Sequence, residues 1–443
     1  MSLSRFLTSS LAFFALATLA AAEAVKDREG AVRFDRATLE NNPRWNYNDP
    51  EKAFAEARRT GKPVLVVLRC VPCLACAGID AQILMDRSEV APLLDQFVCV
   101  RVINANALDL SKFQFDYDLS FSAFFFNADG TLYGRYGSWN HQKDSANKAT
   151  EGLQRALEGA LALHKGYPAN KASLAGKQAG PTPFKTPVEI PTLNGKYKAD
   201  LDWNGKVVAS CVHCHQIGDA MRLTFREKGE PIPTEWIFPF PAPETIGLTL
   251  SADAAARVAS VAPGSLAAQA GLQPGDDLTA IAGQPIISVA DVSWALHRAP
   301  AQGPLPLTIR RATAVKAVTL DLPADWRFKA DISKRVGTWP LRGLALGGLV
   351  LEDLTDTDRA SRALDPKALA LWTKSVGQYG KHAAAKNAGF QKDDVLIACD
   401  GLTTRMTEGE MIAYLLQKHR AGEKVSVTVL RGATRVELTL PMQ

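Results

Sequence analysis

Several chemistries are missing from this sequence. It has no Gly-x-Ser-x-Gly elbow, no Gly-Asn-Ser-Gly-Gly loop and no His-Glu-x-x-His helix. Without a nucleophile turn or a paired-histidine zinc helix, the usual serine and zinc hydrolases are excluded and the chain is not expected to be a protease. There is little net charge, 51 Lys and Arg against 46 Asp and Glu, spread thinly rather than gathered into a stripe. Nucleic acid is therefore not an expected partner. Beyond the N-terminus no apolar run approaches the roughly 20 residues that a bilayer requires. Cysteine is sparse, seven in 443 residues at 70, 73, 76, 99, 211, 214 and 399. That number is odd, so at least one thiol stays outside any set of disulfides.

What is present is ordinary globular composition, with 47% hydrophobic and 22% charged residues. Disordered, collagen-like and coiled-coil classes are excluded. At about 150 residues per domain the length implies roughly three domains.

The first residues place Arg5 before an apolar run from Phe6 to Leu19, then the small residues Ala20-Ala21-Ala22. This order reads as an export signal over residues 1–22, removed from a secreted or periplasmic protein that has no membrane span after cleavage. In an oxidising compartment the remaining thiols are expected to be bonded, ligated, buried or catalytic.

Residues 30–165 alternate helix and strand. Asp49-Pro50 caps a helix that Gly61 stops, and the β-rich run Val64 to Leu68 leads into Cys70-Val71-Pro72-Cys73-Leu74-Ala75-Cys76. Further strands are expected at Phe97 to Val102 and Ala123 to Phe126, and the unit closes with a helix ending near His164. Residues 166–198 have linker composition, as in Ala179-Gly180-Pro181-Thr182-Pro183. Residues 199–242 carry Cys211-Val212-His213-Cys214-His215. The remainder is a duplication: residues 270–283 lie on 388–401 without a gap, with about half the positions identical. The two copies are expected over 243–325 and 338–443, the first with a capping box at Ser288 ahead of a helix facing inward through Val292 and Leu296.

Through Ala262-Pro263-Gly264-Ser265, Ala270-Gly271-Leu272-Gln273-Pro274-Gly275-Asp276 and Ile281, the duplicated unit resembles PDZ domains. The resemblance implies two β-sandwiches of α+β type that bind protein or peptide C-termini by strand addition. Their carboxylate loops would be Ile246-Gly247-Leu248 in copy one and Leu346-Gly347-Gly348-Leu349 in copy two. A packing module without peptide ligand is the alternative.

With its Gly61-Lys62-Pro63 before the central strand, the first unit resembles exported bacterial thioredoxin-like domains of α/β fold. The resemblance implies Cys73 as the attacking thiolate at a helix N-terminus and Cys76 as its resolving thiol, with Cys70 an additional thiol. Two positions depart from the family: Phe121 stands where a cis-proline is usual, and Pro72 where a tryptophan is usual. Weak general disulfide reductase activity is therefore expected, and a static disulfide among Cys70, Cys73 and Cys76 stays open, as does a thiolate metal site.

Cys211-x-x-Cys214-His215 resembles the haem attachment motif of c-type cytochromes. This implies thioether bonds from Cys211 and Cys214 to a haem c, whose iron His215 would ligate. A plain Cys-x-x-Cys disulfide is the alternative. Together the resemblances imply an exported multidomain redox protein that performs thiol-disulfide or electron-transfer chemistry on a partner recruited by its PDZ units. The contrasting reading is a non-catalytic peptide-binding adaptor with structural disulfides.

Overall fold

The computed structural model describes residues 27–72, 89–137, 148–251 and 253–443. The expected export signal, Cys73 and Cys76 lie outside the described residues. No helix among those described is long and apolar enough to cross a membrane.

The first unit is built on a five-stranded sheet. Helix α1 (Arg28–Leu39) precedes strand β1 (Trp45–Tyr47), and helix α2 (Pro50–Thr60) leads to β2 (Val64–Arg69). Strands β3 (Val98–Val102), β4 (Phe121–Phe126) and β5 (Leu132–Tyr136) follow, then helix α3 (Lys148–Lys165). The order is β1-β3-β2-β4-β5. β1, β3 and β2 are parallel, and β4 pairs antiparallel with both β2 and β5. β2 is apolar at consecutive positions because helices cover both faces of the sheet. Leu65 and Val67 pack with Leu153, Leu157 and Phe125 on the α3 side. Val64, Val66 and Leu68 pack with Phe54, Phe113 and Phe124 on the α2 side. Asp49 caps α2 by accepting the Lys52 N–H, and Gly61 ends it in the left-handed region at φ +72°.

Helix α4 (Cys214–Glu227) begins inside the Cys-x-x-Cys-His segment. Two strands, β6 (Leu248–Leu250) and β7 (Val258–Val261), open the first copy of the repeat. β8 (Asp277–Ile281), β9 (Gln284–Pro285), helix α5 (Val289–His297), β10 (Gly303–Arg311) and β11 (Ala314–Leu322) complete it. Helix α6 (Thr338–Leu346) leads into the second copy. It consists of β12 (Leu349–Asp353), β13 (Leu371–Val376), β14 (Val395–Cys399), helix α7 (Glu408–Lys418), β15 (Lys424–Arg431) and β16 (Thr434–Pro441). The duplication extends to a shared clamp. Arg311 binds both carboxylate oxygens of Asp276 and the Gly271 carbonyl, and Arg431 does the same with Asp394 and Gly389. A bidentate guanidinium at matching positions ties the last hairpin to the turn before the central strand in each copy.

The stretch 166–198 does not run free between units, although its composition is that of a linker. Lys177 and Leu174 are fully buried, and Ile190 is the centre of a small apolar cluster with Val212 and Ile217. Gly and Pro set its irregular backbone, while burial of its few apolar residues holds it in place.

Candidate functional site

β2 ends beside the thiol chemistry. Cys70 follows its last residue, and the Cys70 N–H donates to the Ser120 carbonyl at 2.9 Å. Arg69 also directs its guanidinium to that carbonyl. Ser120 therefore spends its acceptor within the chain. Phe121, at the position where the family resemblance implies a cis-proline, turns its ring into the α3-side core against Tyr136. The loop edge facing Cys70 is a packed edge.

The Cys-x-x-Cys-His segment lies across this same end of the sheet. Asn106, fully buried in the loop after β3, donates to the Lys198 and Ser210 carbonyls at 2.7 and 2.8 Å and accepts the Val212 N–H at 2.7 Å. Glu29 of α1 accepts the N–H groups of Val207 and Val208. These bonds fix the backbone leading into Cys211, whose side chain packs with Val32 and Ile103. Cys214, the first residue of α4, enters the α2-side core of the sheet beside Leu68 and Phe124. His213 caps α4, its N–H held by the Gln216 side chain, and its Nδ1 stands 3.3 Å from Cys70 Sγ. Cys70, Cys211 and Cys214 line one cavity of about 10 Å³ together with Leu68, Val102 and Leu108. Burial, with the Cys214 sulfur nearby, pushes the Tyr117 phenol above its ordinary pKa.

His215 points elsewhere. It is about one-third exposed, with Nδ1 3.5 Å from the Asp219 carboxylate. Cys211, Cys214 and His215 are the residues that would hold the expected haem c, and the cavity beside the two cysteines takes about one water molecule. Among the described residues no group of three or more His, Cys, Asp or Glu side chains could hold a metal ion. The two remaining described cysteines are remote: Cys99 lies within β3 and Cys399 within β14, and burial pushes each thiol up to about 12.

The expected peptide grooves differ between the copies. In copy one, β6 pairs with β7 alone among the described strands, so no described strand occupies its other edge. Gly247 has φ +84°, and a Cβ there would sit 2.1 Å from Ser265 Cβ. Its N–H already donates to the Glu244 carbonyl. Ile246 and Leu248 are core residues, so this loop is built for folding as much as for a ligand. In copy two the corresponding edge is filled from within. The Leu351 N–H of β12 donates to Glu408 Oε1 at 2.8 Å, and Arg342 of α6 holds both oxygens of that carboxylate. The Gly348 N–H is spent on the Arg342 carbonyl.

Copy one is also joined to the first unit, a relation that no local signal foretold. Ser288 donates to the Arg135 carbonyl of β5, and Asp291 accepts the Arg135 N–H at 3.0 Å. Lys177 Nζ lies 2.6 Å from Asp291 Oδ2, with both side chains essentially fully buried. Trp294 donates to the Gly176 carbonyl, and the Arg135 guanidinium lies 3.6 Å over its ring. Ile287 inserts into the first unit's core, against Gly134 and Gly159 where a Cβ would collide. Ser288 was legible as a helix start and accepts the Asp291 N–H, but the Asp291 carboxylate of the expected capping box bonds Lys177, Arg135 and Ile287 instead, a docking role that needed the partner elements.

The chain carries a thioredoxin-like domain, matched over residues 45–128, and two PDZ domains, matched over residues 257–311 and 376–442. Among solved structures, a variant of the HtrA-type protease AlgW with a decapeptide is 17% identical, over 31% of this chain and 40% of that one, at a TM-score of 0.19. AlgW with a tripeptide is 17% identical over 30% and 41%, also at 0.19. The match thus spans about two-fifths of those structures. No curated protein matches.

Proposed function

We propose that this chain is an exported thiol-disulfide redox protein acting on a protein partner that its first PDZ domain engages through a free C-terminus. The observation that carries the reading is the meeting of Cys70, at the end of the central strand of a thioredoxin-like domain, with His213 of a second cysteine motif at 3.3 Å. Thioredoxin-like sheets present their thiols at this end, and a cysteine hydrogen-bonded to an imidazole is suited to exchange. Export rests on the N-terminal charge and apolar pattern, and Cys73 with Cys76 is the pair that the family resemblance assigns to the client. The outer edge of β6, which no described strand occupies, supports the first PDZ domain as the docking module, whereas the second is closed by Glu408 and Arg342.

A second reading, an adaptor without redox chemistry, is favoured by the burial of Cys70, Cys211 and Cys214. The two separate in one experiment. The reduced full chain is mixed with a peptide disulfide bearing a PDZ-selected C-terminus, free or amidated, and peptide thiols are counted over time. Reduction that is faster with the free C-terminus is expected. Binding of the free C-terminus without release of thiols would favour the adaptor.

A further inference from the structure

Three cysteines from two distant parts of the chain line one small pocket. We propose that Cys211 and Cys214 form an in-chain dithiol that exchanges with Cys70, making the Cys-x-x-Cys segment a redox partner of the thioredoxin-like domain rather than a haem anchor. The inference rests on the redox reading above and deepens it.

The geometry supports exchange within the chain. Cys70, Cys211 and Cys214 line the same cavity of about 10 Å³, which places the three residues around one small space. His213 holds Cys70 Sγ from the residue between the two partner cysteines, 143 positions away in sequence. Asn106 fixes the backbone on both sides of Cys211 through the Ser210 carbonyl and the Val212 N–H. Such positioning raises the effective concentration of one thiol at another, which is how intramolecular exchange outruns exchange with small thiols.

The step balances without a cofactor. The Cys70 thiolate attacks Cys211 Sγ of a Cys211–Cys214 disulfide. The Cys70–Cys211 bond forms, the Cys211–Cys214 bond breaks, and the proton lost by Cys70 ends on Cys214. Cys214 is the favoured leaving sulfur because it opens α4, where unsatisfied N–H groups stabilise negative charge. One disulfide and one thiol are present before and after. The two electrons given up when Cys211 and Cys214 are first joined pass to a protein disulfide, which becomes two thiols.

The test traps the mixed disulfide in the full chain. Cys214→Ser and Cys211→Ser proteins are equilibrated with glutathione disulfide, quenched by alkylation and mapped by mass spectrometry, alongside wild type sampled during reoxidation. A Cys70–Cys211 peptide pair is expected as the main cross-link in Cys214→Ser, and transiently in wild type. Cys70 remaining alkylatable in both variants and throughout the wild-type time course would overturn the proposal. So would haem thioethers on Cys211 and Cys214 in protein from its native host. Counting peptide thiols with the same variants keeps the two claims apart. Client reduction without the cross-link sinks the relay alone, and the cross-link without client reduction sinks only the broader reading.

Discussion

Replacing Lys177 by methionine removes one charge from the joint between the thioredoxin-like domain and the first PDZ domain while keeping most of the side-chain volume. Lys177 Nζ has the Asp291 carboxylate at 2.6 Å, and neither side chain is more than 1% exposed. In the variant that carboxylate keeps the Arg135 and Ile287 N–H groups but loses its directly bonded counter-charge, leaving only the charge of the nearby Arg135 guanidinium. Leaving one member of a buried ion pair unmatched costs about 3–5 kcal/mol, far more than the fraction of a kcal/mol expected of an exposed pair. Asp291→Asn should cost a similar amount, because the ammonium is then stranded. The double variant should cost about as much as either single one, which sets a coupling energy of about 3–5 kcal/mol. Urea unfolding followed by tryptophan emission, to which Trp294 in this joint contributes, reads the change. A cost below about 1 kcal/mol for Lys177→Met, or simple addition of the two single variants, would refute the view that this pair fastens the domains.

Gly247→Val should lower both peptide binding and thermal stability, by roughly 2–5 kcal/mol, since φ +84° and the approach to Ser265 each oppose a branched side chain. Loss of binding at unchanged melting temperature would show the loop to be a ligand cradle alone. Asn106→Ala should release the segment before α4, leaving the Val212 N–H unpaired at a cost of about 1–3 kcal/mol; hydrogen exchange over residues 207–215 should accelerate, and an unchanged rate would contradict the anchoring role. Cys99 and Cys399 should resist alkylation at pH 8 in the folded protein and react once unfolded, because burial pushes both thiols from about 9 up to about 12. The stability this shift contributes is complete below pH 9 and is lost as pH rises towards 12. Labelling of either residue at the rate of an exposed thiol would refute this.

Much of the architecture is local and was legible in the residues. The Asp49 cap and Gly61 stop of α2, the continuous apolar run of β2 and the Ser288 start of α5 follow from backbone preference and side-chain period, which act over a few positions. The duplication shows in matched turn residues because both copies solve the same backbone problem. Three-dimensional packing decided the rest. Phe121 turns into the core, residues 166–198 are held down by the burial of Leu174, Lys177 and Ile190, and the second PDZ edge is filled by Glu408. None of these carries a local signal, since each depends on a partner element distant in sequence. The same holds for the thiol centre. Residue order alone shows two cysteine motifs, each resembling a redox motif. Only the tertiary structure brought Cys70 to His213, Cys211 and Cys214, because a loop after β3 and helix α1 bind the later segment across the end of the sheet.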